Sequence, residues 1–159
     1  MVTITGGKWT TYRKMAEDTI DQAATLADLP DRASVTRDLP IHGYHTDAEQ
    51  FGDLADYGAD AEAVEALIAE RPEWSEPLHP ERSMRAGEVV WAVRNELART
   101  VEDVLSRRRR MLLLDARASI DIAPAVAALM AEELGRDAAW QQAQVETFCS
   151  LAEGYLVSA

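Results

Sequence analysis

The sequence predicts a mainly α-helical protein: a helical bundle preceded by a short strand–turn–helix segment. Three observations carry this prediction. From Asp60 to Tyr155, apolar residues recur at helical spacing in one segment after another. Proline, glycine and acidic residues fall where such segments start and stop. A short run rich in β-branched residues, Val2-Thr3-Ile4-Thr5, stands at the start of the chain.

Residues 2–5 are expected to form a strand, because valine, isoleucine and threonine favour the pleated conformation. Gly6 and Gly7 supply a tight turn, and an amphipathic helix follows. Tyr12, Met15, Thr19, Ala23 and Leu26 share one face of it, and Pro30 lies just past its end. Ser34 to Gly43 looks extended, with β-branched residues and a proline-limited end. From Tyr44 to Asp60, polar residues and glycines suggest a surface connection. The expected division is therefore residues 1–43 and a helical domain, residues 44–159.

In the second part, Asp60 can cap a helix carrying Val64, Leu67 and Ile68, which Pro72 stops. Pro77 and Pro80 mark a loop. Residues 82–98 are expected as a helix with Val89, Val90, Val93 and Leu97 on one face. Thr100-Val101-Glu102-Asp103 resembles a capping box with aspartate in the third position, starting a short helix near Leu105. A helix through Met111–Ile122 follows, and Pro124 suits the first turn of the next, which ends at Gly135. Asp137 can cap the last helix, where Val145, Phe148, Ala152 and Tyr155 share a face.

Composition sets bounds on function. The chain has 159 residues, 47% of them hydrophobic, enough for a real core. Its net charge of −12 repels nucleic acid phosphates and anionic lipid overall, so nucleic acid is not an expected partner. Cys149 is the only cysteine, which excludes internal disulfides and multi-cysteine metal centres and suits a reducing compartment. No apolar run approaches the roughly 18 residues that a membrane span needs. No secretory signal pattern opens the chain.

The most informative local feature is Gly6-Gly7-Lys8 between the expected strand and helix. Glycines let a ligand approach the backbone closely, and a helix start offers unpaired N–H groups and partial positive charge. Lys8 adds a full charge, and Thr10 and Thr11 add hydroxyls. Such a turn favours an anion, or a flavin ring whose reduced form is negative near N1 and the C2 oxygen. On spacing alone, an ordinary turn with an exposed lysine accounts for the same residues.

Other candidates are weaker. Arg107-Arg108-Arg109-Arg110 suggests an anionic surface, but Glu102, Asp103 and Asp115 are close by, and Asp103 to Arg107 has i,i+4 spacing. Ion pairing is the favoured expectation. His42, His45 and His79 have no converging partners in sequence, so no metal site is expected. Cys149 lies mid-helix beside Phe148 and Leu151 and is expected to be a small core residue. Trp9, Trp74, Trp91 and Trp140 are expected as core or interface anchors.

Two stretches carry a family resemblance. Thr3-Ile4-Thr5-Gly6-Gly7-Lys8-Trp9-Thr10-Thr11-Tyr12-Arg13-Lys14-Met15-Ala16-Glu17 is similar to the last strand–loop–helix of the flavin domain in aerobic, FAD-dependent glycerol-3-phosphate dehydrogenases. The run from Glu88 to Arg110, continued by Leu113-Leu114-Asp115-Ala116-Arg117-Ala118, looks like the signature of that family's helical C-terminal domain. The resemblance covers nearly the whole chain in order. One position inside the arginine run departs from it, where the family tends to have a neutral residue.

The resemblance implies that residues 1–43 are the C-terminal remnant of an FAD-binding domain. It implies oxidation of sn-glycerol 3-phosphate to dihydroxyacetone phosphate, with electrons passing to quinone, or to oxygen in the related oxidases. Gly6, Gly7, Lys8, Trp9 and Thr10 would line the pyrimidine end of the flavin, and Lys8 would be the catalytic-site residue holding anionic substrate or reduced flavin. The parent enzymes are cytoplasmic and peripheral at the inner face of the cytoplasmic membrane. The single cysteine argues against the anaerobic relatives with a cysteine-ligated module. The Gly-rich dinucleotide-binding unit is absent from these residues, so the chain alone is expected to be inactive and not to retain FAD. The competing expectation is a non-catalytic helical module that docks onto a separate flavin subunit. The strand expected at residues 2–5 speaks against that, because a free-standing module would leave it unpaired.

Overall fold

The computed structural model describes residues 1–156 and divides into two compact units, Met1–Tyr44 and His45–Ala159. The chain as a whole is mainly helical, as expected, and the second unit carries most of its helices. In the first unit, a 3-10 turn at Trp9–Thr11 leads into helix α1, Tyr12–Leu26. The helix ends as its sequence allows. Asp28 adopts a left-handed φ of 52°, and the N–H of Leu29 reaches the carbonyl of Ala24 at 3.0 Å, with Asp28 N–H on Thr25 at 3.3 Å. These two bonds close the orphan carbonyls of the last turn.

The expected strand at residues 2–5 does not form, and neither does the extended stretch at 34–43, which is a series of turns. The reason is the same for both. A strand's N–H and C=O groups need a neighbour, and none of the described residues supplies one. Residue propensity alone does not hold a lone strand.

The second unit begins differently from the surface connection expected over 44–60. A 3-10 run, Ala48–Asp60, kinks at Gly52 and Gly58, whose φ values are 55° and 54°. Phe51, Leu54 and Tyr57 recur every three residues, the period of such a helix, and pack on Val64 and Ile68 of α2, Ala61–Ile68. Asp60 holds the N-cap position of α2, although its carboxylate does not close the cap.

A 3-10 turn at Pro72–Ser75 then buries Trp74. The expected loop at Pro77 and Pro80 and the start of the expected 82–98 helix are instead a hairpin. Strand β1, Pro77–His79, pairs antiparallel with β2, Arg82–Arg85, in the register Pro77 to Arg85 and His79 to Arg82. In β2 only Met84 is buried, as alternation on a pleated strand dictates. Helix α3 is correspondingly shorter, Ala86–Asn95. Within it Gly87 permits a close approach: a Cβ there would sit 2.5 Å from Ile68 Cγ1 and 3.2 Å from Trp74 Cβ. Leu97, at φ 58°, turns the chain out of the helix.

The capping box is present. Thr100 Oγ1 accepts the N–H of Asp103 at 3.1 Å, and Asp103 Oδ2 accepts the N–H of Thr100 at 3.0 Å. The turn that follows, Asp103–Arg108, is π-helical. Arg110, left-handed at φ 52°, precedes the four-residue α4, Met111–Leu114. The helix expected over 111–122 is therefore broken, because Asp115 caps a new one by accepting the N–H of Ala118 at 3.0 Å. That helix, α5, runs Ala116–Leu134 with Pro124 inside it rather than in its first turn. Proline costs one intrahelical bond there. Burial of Ile122, Ala123, Val126 and Ala127 on either side of it outweighs that loss. Gly135, at φ 62°, ends α5, and Asp137 caps α6, Ala138–Glu153, through the N–H of Trp140 at 2.9 Å.

The core of this unit joins Val89 and Val93 of α3, Val104 and Leu105 of the π-turn, Ile122, Val126 and Met130 of α5, and Phe148 and Ala152 of α6. Val145 packs against it, while Tyr155 lies past the helix end and is exposed.

Candidate functional site

The turn of the first unit has the backbone its sequence implies. Gly6 and Gly7 both take positive φ, 78° and 109°, which side chains with a Cβ rarely adopt. Nothing lies within 4 Å of where a Gly6 Cβ would be, so its backbone is open to approach. At Gly7 a Cβ would meet Met15 Sδ at 2.2 Å. The turn is fastened by Thr11. Its hydroxyl accepts the N–H of Lys8 at 3.1 Å and donates to the Lys8 carbonyl at 3.0 Å, and its own N–H donates to that carbonyl at 2.9 Å. The Lys8 N–H is thus taken, while Trp9 and Thr10 stand in the first turn, where helical N–H groups have no intrahelical partner.

Lys8, Trp9 and Thr10 are exposed, Trp9 almost fully at 88%. Trp9 is therefore not a core residue within this chain. Its ring lies 5.7 Å from that of Tyr12, tilted by 37°. Together with Ile4, Gly6, Gly7 and Lys8 these two rings line an open groove of about 550 Å³. Four of the five sequence-selected residues, Gly6, Gly7, Lys8 and Trp9, therefore line one groove, and Thr10 does not. Neighbouring cations are already engaged. Arg13 pairs with Glu17 at 2.5 Å, and Lys14 with Asp18 at 2.9 Å and Glu17 at 3.1 Å. The hydrogen bond to Asp18 and then that to Glu17 push the Lys14 ammonium up, and the Arg13 guanidinium chiefly holds the Glu17 carboxyl down.

The arginine run of the second unit is internally paired. Arg107 reaches Asp103 at 2.9 Å and Glu102 at 2.5 Å. Arg108 donates twice to the Glu96 carbonyl, at 3.0 and 2.7 Å. Arg110 lies 3.6 Å from Asp56 at the surface. Arg109 differs. Its guanidinium sits over the Tyr57 ring at 5.3 Å, and its Nε is 3.0 Å from Glu88 Oε2, off the line of a true hydrogen bond. Glu88 is 1% exposed. Its Oε1 accepts the Arg85 N–H at 2.7 Å, and its Oε2 accepts from the Tyr57 hydroxyl at 3.3 Å. Burial drives the Glu88 carboxyl up, with Arg109 opposing, and burial drives the Tyr57 phenol up as well.

Sequence reasoning missed this trio around a buried carboxyl. Its one sequence signal is an acid three residues after Arg85 at the head of an apolar helix, the capping-box position.

The remaining candidates hold structural places. His45 Nδ1 accepts the Asp47 N–H at 3.1 Å and His79 Nδ1 the Glu81 N–H at 3.2 Å. Among the described residues no three His, Cys, Asp or Glu side chains converge on a point that could hold a metal ion. Cys149 packs against the main core, and burial raises its thiol, opposite to what a nucleophile needs. Trp74 is buried and flanked by Arg71 at 4.8 Å and Arg94 at 5.2 Å; Trp91 and Trp140 are partly buried against the core clusters. Among the described residues no helix is long and apolar enough to cross a membrane.

Comparison with known proteins bears on both units at once. A family model described as the C-terminal domain of alpha-glycerophosphate oxidase matches residues 2–143. A probable mitochondrial glycerol-3-phosphate dehydrogenase of Caenorhabditis elegans is 35% identical over 97% of this chain and 24% of its own length. The human mitochondrial glycerol-3-phosphate dehydrogenase is 30% identical over 92% of this chain and 23% of its own. The corresponding probable enzyme of Dictyostelium discoideum is 33% identical over 72% of this chain and 20% of its own. The chain thus spans about a quarter or less of the curated relatives it matches. No solved structure matches. With a match this long, the chain belongs to the family of the alpha-glycerophosphate oxidase C-terminal domain.

Proposed function

We propose that this chain is the C-terminal part of an FAD-dependent enzyme that oxidises sn-glycerol 3-phosphate to dihydroxyacetone phosphate and passes the electrons to quinone. The observation that carries the proposal is the Gly6-Gly7-Lys8 turn. It joins bare backbone at positive φ, an exposed ammonium and an open aromatic-walled groove at one point. Its residues fit the pyrimidine end of a flavin: the glycines admit a flat ring, and Trp9 and Thr10 offer first-turn N–H groups.

In the complete enzyme FAD supplies the acceptor for a hydride leaving carbon 2 of the substrate. Gly6 and Gly7 bring the backbone close to the ring, and Trp9 and Thr10 hold its edge. Lys8 keeps a positive charge beside the negative charge that develops there or on the substrate phosphate. Residues 1–43 complete the FAD domain, and residues 44–159 form a helical domain attached to it. The exposed side chains of the first unit are the surfaces that the remainder of the FAD domain covers. The enzyme works peripherally at the inner, cytoplasmic face of a membrane. Relatives named as mitochondrial enzymes and the lack of a spanning helix among the described residues are compatible with a peripheral position.

In the complete enzyme Lys8→Ala lowers kcat/KM at least tenfold, about 1.4 kcal/mol of transition-state stabilisation. Unchanged kinetics would remove Lys8 from the site. The isolated 159-residue chain should purify without stoichiometric flavin absorbance. A yellow, dye-reducing preparation would overturn that part of the proposal.

A further inference from the structure

Arg109 has work left over after its role in the trio. Its Nε faces Glu88 and its plane lies over Tyr57, so the guanidinium is held in place from two sides. Only 12% of the side chain is exposed. Besides the ion pair with Glu88, no side chain among the described residues accepts a hydrogen bond from its two terminal Nη groups. They are not sealed off either, since Nε is the sole Arg109 nitrogen that is both buried and without a hydrogen bond.

The same side chain lines a half-open cavity of about 330 Å³ between the hairpin and α4. The other walls are Arg82, Ser83, Met84, Met111 and Leu114. Arg82 is turned to Asp115, to which both its Nε and an Nη donate. The cavity therefore presents one fixed guanidinium with spare donors, one exposed hydroxyl, and apolar walls from two methionines and a leucine. A guanidinium fork matches the paired oxygens of a phosphate or carboxylate, and a group already immobilised loses little entropy on binding. The volume lies at the small end of ligand sites.

We propose that this cavity binds a small organic oxyanion, a phosphate monoester or carboxylate on a short carbon chain, with Arg109 and Ser83 on the oxyanion and Met84, Met111 and Leu114 around the chain. The residues of this site all belong to the second unit, and the proposal does not depend on the function proposed for the Gly6-Gly7-Lys8 turn. Arg109 thus serves two ends of one ion-pair chain, Glu88 inside and the ligand outside.

The test is a titration of the 159-residue chain followed by amide and arginine side-chain NMR, with ionic strength held constant. The probes are inorganic phosphate and propyl phosphate. The expected result is saturable shifts at Ser83, Met84, Arg109 and Met111, with propyl phosphate binding several-fold more tightly than phosphate. Ser83→Glu places a carboxylate at an exposed position on the cavity wall, leaves the fold intact and abolishes saturation. Arg109→Lys, which keeps the charge beside Glu88 but loses the fork, weakens binding at least tenfold. Linear shifts spread over surface arginines, or equal affinity in Ser83→Glu, would overturn the proposal. So would capture by phosphatidic acid vesicles without a saturable response to propyl phosphate, which would make the ligand a lipid headgroup.

Discussion

The two units spend their apolar residues in opposite ways. In Met1–Tyr44 no residue is buried, and Trp9, Tyr12, Ile20, Leu26, Leu29 and Val35 are all exposed. In His45–Ala159 the same kinds of residue close a continuous core from Val89 to Phe148. Amphipathic patterning exists in both. The difference teaches that a pattern states which face seeks cover, while the fold depends on whether a partner face is present. The first unit has its caps, its Schellman end and its glycine turn, all made from residues within a few positions. What it lacks is a buried apolar face.

Several substitutions would break or sharpen this contrast. The largest expected effect is in the second unit. Glu88→Ala removes the buried carboxyl that accepts the Arg85 N–H and the Tyr57 hydroxyl and pairs with Arg109, leaving two donors and a half-buried cation without their partner, costing about 3–5 kcal/mol. A shift in the urea midpoint of the chain measures it, and a change under about 1 kcal/mol would show that the trio is not a structural support.

Gly87→Ala is next. Helix propensity alone would make alanine the better residue by about 1 kcal/mol. Contact with Ile68 and Trp74 reverses the sign, because the stiff β-branched Ile68 cannot yield, and the net effect is a loss of about 1–3 kcal/mol. A stabilised variant would show that α2 and α3 have slack between them.

Asp103→Ala costs about 1 kcal/mol through the lost capping box, and its pH dependence is distinctive. Burial opposes ionisation of Asp103, but the N–H groups of Arg99 and Thr100 and the Thr100 hydroxyl outweigh it and hold the carboxyl below its usual value. Its contribution is therefore complete above the ordinary carboxylate range and disappears as pH falls through the lowered value. Glu88 runs the other way. Its raised carboxyl binds a proton more readily in the folded state, so its ionisation lowers stability as pH rises from the ordinary carboxylate range through the raised value. Denaturation of wild type and Asp103→Ala across the acid range should give curves that converge at low pH. A constant gap would exclude an ionised Asp103 as the cap.

The smallest effect belongs to the first unit. Trp9→Ala shifts the unfolding midpoint of the chain by no more than about 0.5 kcal/mol, as for other exposed positions. A larger loss would mean that Trp9 is covered in solution, and the contrast between the units would fail.

What could be read from the sequence follows the same division between local and distant. Caps at Thr100, Asp103 and Asp137, the stop at Gly135 and the glycine turn at 6–7 depend on neighbours within four residues, and they were all legible. The strand expected at residues 2–5 misled, because a strand needs a sheet beside it and Val2 and Ile4 alone do not supply one. The hairpin over 77–85 was hidden by its two prolines, which signal a loop equally well. Pro124 misled because its local cost is fixed while the packing that offsets it comes from α3 and α6. At the turn, all five selected residues stand together, since they are contiguous. The Glu88–Tyr57–Arg109 trio was invisible, because its members lie far apart in sequence and only tertiary packing assembles them.

Gly87 has a consequence for how this family drifts. With Ile68 pressed against its missing side chain, positions 68 and 87 share one small volume between α2 and α3. A larger residue at 87 becomes tolerable once position 68 has shrunk, so Ile68→Ala should rescue Gly87→Ala. Across divergent descendants the two positions should change as a pair, and the order of the steps should be fixed, with the shrinking substitution arriving first.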